Sequence, residues 1–77
     1  MSPRAPRITA DQALRALHRL GWRQDRQRGS HLSLKHPDRP GQRVTVPLHT
    51  GRVLRPKTLA SMLEQAGIGV EEFRRAL

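Results

Sequence analysis

The sequence predicts an α+β fold: a two-layer sandwich of a three-stranded antiparallel sheet with helices on one face, in the order α-β-β-β-α-α. Three observations lead there. Apolar residues recur at helical spacing near the two ends of the chain, bounded by residues that start or stop helices. In the middle, Leu32 and Leu34, then Val44 and Val46, alternate with polar residues, the period of a strand buried on one side. Turn-forming clusters separate these runs, and no stretch is long enough to be an interdomain linker.

Residues 1–8, which include Pro3 and Pro6, are expected to form a flexible tail, and residues 9–77 a single domain. Thr9 reads as the N-cap of a first helix over Ala10–Leu20. Gln12, three residues on, completes a capping box, and Asp11 sits in the positive first turn. Ala10, Ala13, Leu14, Leu17 and Leu20 form its apolar stripe, and Gly21 follows where a left-handed C-terminal residue belongs. The polar stretch Trp22–Gln27 suits an edge strand, and Arg28-Gly29 a tight hairpin into a second strand over Ser30–His36. Pro37–Gly41 is a turn cluster, and Gln42–Pro47 a third strand with Val44 and Val46 inward. Thr50-Gly51 breaks the chain again. Pro56 fits the first position of a second helix, whose stripe is Leu59, Met62, Leu63 and Ala66 and which Gly67 ends. Gly69–Leu77 reads as a short third helix with Val70, Phe73 and Leu77 on one side. Leu17, Leu32, Val44, Leu59 and Leu63 are the expected centre of the core.

Composition narrows the function. Seventy-seven residues make one small domain, too short for a two-domain enzyme with a deep cleft. The chain has no Cys, so disulfides and thiolate metal sites are excluded. No apolar run approaches the ~20 residues that span a bilayer, and the opening MSPRAPR lacks the apolar stretch of an export signal. A cytoplasmic protein is expected. The net charge is +9 and unevenly placed: residues 1–58 hold thirteen cations and three anions, residues 59–77 two cations and three anions. A small domain so basic over most of its length suits a polyanionic partner, most often nucleic acid.

Strand alternation says where that partner would sit. With Leu32 and Leu34 turned to the helices, His31, Ser33 and Lys35 face solvent; with Val44 and Val46 inward, Arg43 and Thr45 face outward. Arg28, at the hairpin beside His31, joins this set. Arg28, Ser33, Lys35, Arg43 and Thr45 are thus the candidate RNA-binding residues, since arginine, lysine and hydroxyl groups bind phosphate oxygens. Histidine is the side chain that both gives and takes a proton near neutral pH. RNA can be cut without a metal when its own 2′-hydroxyl attacks the neighbouring phosphorus. That reaction needs a base, an acid and positive charge for the phosphorane. His31 is the candidate for a proton-transfer role, and Lys35 or Arg43 for charge stabilisation. On these residues alone, catalysis and mere phosphate binding both stay open.

The remaining chemistry is sparse. His18 lies on a polar helix flank, His36 precedes Pro37 at a strand end, and His49 follows the third strand. Four scattered histidines, with Asp25, Asp38 and Glu64 far apart in the pattern, make a poor metal set, and neither a metal nor another cofactor is expected. There is no GxSxG, no GxGxxG and no P-loop. Trp22 and Phe73, the only aromatic residues, suit the core better than base stacking on an exposed sheet.

The segments Arg28-Gly29-Ser30-His31, Val46-Pro47-Leu48-His49, Leu54-Arg55-Pro56 with Thr58-Leu59, and Leu63-Glu64-Gln65-Ala66-Gly67, in that order, resemble the HicA family of toxins. The pattern spans residues 9–77. These are small mRNA interferases of type II toxin–antitoxin systems. The resemblance implies a fold like a double-stranded-RNA-binding domain and a metal-independent endoribonuclease. It also implies a HicB-type antitoxin that covers the active surface. The histidine of the family's G-S-H motif is catalytic and falls on His31. Trp22 stands where the family usually has Phe, and Leu34 where it more often has an aromatic residue; neither exchange removes a mechanistic group. The rival readings are a non-catalytic RNA-binding module using the same basic face, and a subunit whose face only docks an acidic antitoxin.

Overall fold

In the computed structural model, which describes residues 7–49 and 52–77, Thr9 opens the first helix, α1 (Ala10–Arg19). Its hydroxyl accepts the Gln12 backbone N–H at 3.3 Å, and the Gln12 side chain accepts the Thr9 N–H at 2.9 Å. The expected capping box is therefore complete. The helix ends one residue short of Leu20, which leaves helical geometry so that Gly21 can turn the chain with φ +99°. Ile8, assigned to the tail by sequence, is buried, and its carbonyl accepts the Leu54 N–H at 2.8 Å. Residues 1–6 of the expected tail and the break at Thr50-Gly51 lie outside the described residues.

Three antiparallel strands follow in spatial order β1 (Arg23–Arg28), β2 (His31–Lys35) and β3 (Val44–Pro47). Gly29 and Ser30 form a two-residue hairpin loop in which Gly29 takes φ +55°, a conformation glycine adopts without steric cost. The first strand keeps its expected length but starts one residue later, and the second and third are each two residues shorter than expected. Trp22, placed at the head of the first strand by sequence, lies just before it and is buried in the core, as expected. The second helix, α2, is Pro56–Ala66 and closes on Gly67 in left-handed geometry. The third, α3, is Val70–Ala76.

The helices cover one face of the sheet: α1 and α2 pack on β3, and α3 packs on α1. Leu17, Leu32, Val44, Leu59 and Leu63 are all buried, as expected, together with Trp22 and Phe73. Two expected stripes shift. Leu14 and Leu20 sit at the rim of the core, because the small Ala10, Ala13 and Ala16 turn inward and let α1 approach closely. On α3, Ala76 is buried one turn after Phe73, whereas Leu77 lies past the last helical residue and is 41% exposed.

Two arginines fasten distant helix ends. Arg39 donates to the Ala66 carbonyl at 2.6 Å, and Arg19 to the Ala76 carbonyl at 2.7 Å. A cation at the last carbonyls of a helix satisfies free acceptors and complements the helix dipole. Among the described residues no helix is long and apolar enough to cross a membrane.

Candidate nucleic-acid interface and active site

The hairpin register builds the open face in rows. Arg28 pairs with His31, and His31 with Pro47; Arg26 pairs with Ser33, and Ser33 with Thr45. Residues directly opposite on neighbouring strands share a face, so Arg28, His31 and Pro47 form one row and Arg26, Ser33 and Thr45 the next. His31, Arg28, Arg26 and Thr45 are exposed, and Ser33 is half-buried. Arg28, His31, Ser33, Lys35 and Thr45 thus fall on the face opposite the helices, and Arg43 lies just before β3. Arg26 joins them without having been singled out by sequence.

The third row is different, and its acid was missed. Pairing runs regularly from the turn to Arg26, then shifts between Gln24 and Arg26. Without that shift Asp25 would lie opposite Leu34 and point inward. The bulge leaves it as the extra residue and places its carboxylate on the open face. There it accepts from Arg43 and lies 3.6 Å from Lys35. Lys35 and Arg43, expected as free phosphate-binding cations, are therefore tied to a shared anion, though their side chains remain 57% and 52% exposed. Exposed ion pairs are weak, typically ~0–1 kcal/mol, so a polyanion can compete for both cations. Arg23, opposite Lys35, is turned away: its guanidinium donates to the His18 and Trp22 carbonyls, at 3.0 Å each.

His36 is held by structure. Its Nδ1 accepts the Asp38 N–H at 3.1 Å, so the ring hydrogen sits on Nε2, which donates to the Leu20 carbonyl at 3.0 Å. Its ring meets Trp22 edge-on, centroids 5.2 Å apart. A side chain at Gly21 would collide with it, since a Cβ there would stand 2.4 Å from His36 Nε2. That histidine splices the end of the second strand to the end of the first helix and is unavailable to a substrate. His18 is exposed on α1, and His49 is exposed beyond β3, where Leu48 N–H bonds the Ser30 carbonyl.

No curated protein matches the chain. A family model described as the HicA toxin of bacterial toxin–antitoxin matches residues 10–68. The match runs from the first residue of α1 through all three strands and α2, and takes in every residue of the open face. On that match, the chain belongs to the HicA toxin family of bacterial toxin–antitoxin systems.

Proposed function

We propose that the protein is a metal-independent endoribonuclease whose proton-transfer residue is His31 and whose RNA contacts are Arg28, Ser33, Lys35, Arg43 and Thr45. One observation above all supports the reading: His31 stands exposed on the open sheet face with the guanidinium-bearing Arg28 directly across the strand pair. In the reaction, the ribose 2′-oxygen forms a bond to phosphorus and gives up its proton. The bond from phosphorus to the 5′-oxygen breaks, and that oxygen gains a proton. The products are a 2′,3′-cyclic phosphate and a 5′-hydroxyl. The nucleophile comes from the RNA itself, so the chain has only to supply a proton-transfer group and cations for the extra negative charge of the phosphorane. The partner that restrains it is a HicB-type antitoxin, which blocks cleavage by covering the face that holds His31, Lys35 and Arg43.

Purified protein should cleave mRNA in excess EDTA, leaving cyclic-phosphate and 5′-hydroxyl ends, and a HicB-type antitoxin should suppress the cleavage. RNA left whole under these conditions, with binding retained, would favour the non-catalytic RNA-binding module. Cleavage that appears only when a divalent cation is restored would overturn the metal-free chemistry.

Asp25 makes a second test of the face. Its carboxylate neutralises one of two cations that RNA would use, so Asp25→Asn should tighten RNA binding by roughly three- to tenfold at low salt. The gain should shrink as salt rises. The measurement is a binding titration in a His31→Ala background, which keeps the RNA intact. Weaker binding would mean that Asp25 serves chiefly to hold Lys35 and Arg43 in place.

A further inference from the structure

Beyond β3 and beside the start of α2 lies a concavity of about 270 Å³, and its lining is chemically lopsided. His49, Arg52 and Arg55 contribute positive or proton-bearing groups and Thr58 a hydroxyl, with no acid lining it among the described residues. Pro47 and Val53 supply apolar surface, and Val53 is 54% exposed. A large apolar side chain left open beside two arginines fits a ligand with a flat apolar part and an anionic part. The uncapped first turn of α2 adds its dipole to the same field.

The place of the concavity matters as much as its lining. Pro47 is the cross-strand partner of His31 and also a wall of the concavity. One strand spacing, ~5 Å, therefore separates the backbone at His31 from the strand that borders the concavity. We propose that this concavity is a nucleotide subsite for single-stranded RNA. It holds the phosphate next to the scissile one on Arg52 and Arg55, with His49 and Thr58 beside them, and rests the adjoining base on Val53 and Pro47. The proposal builds on the reading of His31 as the cleavage centre. It assigns substrate positioning to His49 and to Arg52, Arg55 and Thr58, not to the sheet face alone.

The probe is a two-uridine RNA lacking the 2′-hydroxyl at its internal phosphate, so that it binds without being cut. It is compared with the same molecule carrying an added phosphate at its 5′ or at its 3′ end. One of the two phosphorylated forms should bind roughly tenfold tighter, the worth of a charge-assisted contact. It should also shift the backbone amide signals of Arg52–Thr58. In Arg52→Gln/Arg55→Gln the gain should fall below about twofold, whereas Lys57→Gln/Arg75→Gln, which removes the same charge elsewhere, should keep it. All four side chains are exposed, and unchanged melting confirms that both variants fold. The subsite is overturned if neither end phosphate tightens binding, or if the gain disappears equally in both double variants. Amide shifts confined to the sheet face would overturn it in the unaltered protein. Because binding is read without turnover, protein that holds the end phosphate but never cuts RNA would sink the nuclease reading and leave the subsite standing.

Discussion

His31→Ala should lower the rate of RNA cleavage by about 10²–10⁴-fold, the range a positioned proton-transfer group supplies, while leaving the melting temperature within a degree or two of the parent. The two halves of that expectation come from different links of the argument. The loss follows from chemistry: alanine can neither take the 2′-hydroxyl proton nor protonate the leaving oxygen. The unchanged melting follows from burial: the side chain is exposed and no part of the core. RNA binding should survive, since Arg28, Lys35 and Arg43 remain. A variant that cuts at the parent's rate would remove His31 from the mechanism. One that melts far lower would mean the loss of activity reflects folding, and His31→Gln would then have to separate the two.

Leu59→Ala should destabilise the domain by ~2–5 kcal/mol. Leu59 is 1% exposed in the core between α2 and the sheet, so truncation both removes transfer free energy and opens a cavity. At the usual stability per residue, a chain of this size has a total of roughly 4–12 kcal/mol. The loss is therefore a large part of the whole, and thermal unfolding should move down by about 10 °C or more. Coincident melting curves for variant and parent would place Leu59 outside the cooperative core. The neighbouring Lys57, exposed on the same helix, gives the contrast: Lys57→Ala should change stability by less than about 0.5 kcal/mol.

Local signals were legible wherever a residue acts on its own neighbourhood. Thr9 with Gln12, Gly29 in the hairpin, Pro56 and Gly67 at the ends of α2 each fix a boundary through backbone geometry or a bond three residues away. Alternation in His31–Lys35 was equally readable, and it carried the open face with it. What escaped notice depended on pairing across the chain. Asp25 reaches Lys35 and Arg43 only because a bulge interrupts β1, and nothing in Arg23–Arg28 marks where a register will slip. Arg26 escaped for the same reason, since its partner Ser33 is defined by the register of a strand with no apolar alternation. The same holds for Arg19 and Arg39, which read as two more surface cations until the fold brings helix ends 57 and 27 residues away to their guanidinium groups. His36 is intermediate. Its strand-end position was readable from Pro37, but its bond to Leu20 required the third dimension.

The sheet has two outer strands, and an open sheet is a template on which a second copy can continue it. At β3 the outward amide of Thr45 is already taken, since Gln65 Oε1 reaches down from α2 and accepts it at 2.9 Å. An incoming strand would have to displace a side chain held on a helix. At β1 all six residues are exposed, and three of them are arginines. Two such strands laid edge to edge would bring together two segments in which three arginines outnumber the single Asp25, a net positive charge on each side. One border is latched and the other electrically repellent, so growth of the sheet into fibrils or strand-paired dimers is opposed on both sides. Gln65→Ala would open the latched border, which makes β3 the side from which aggregation of this small domain would begin.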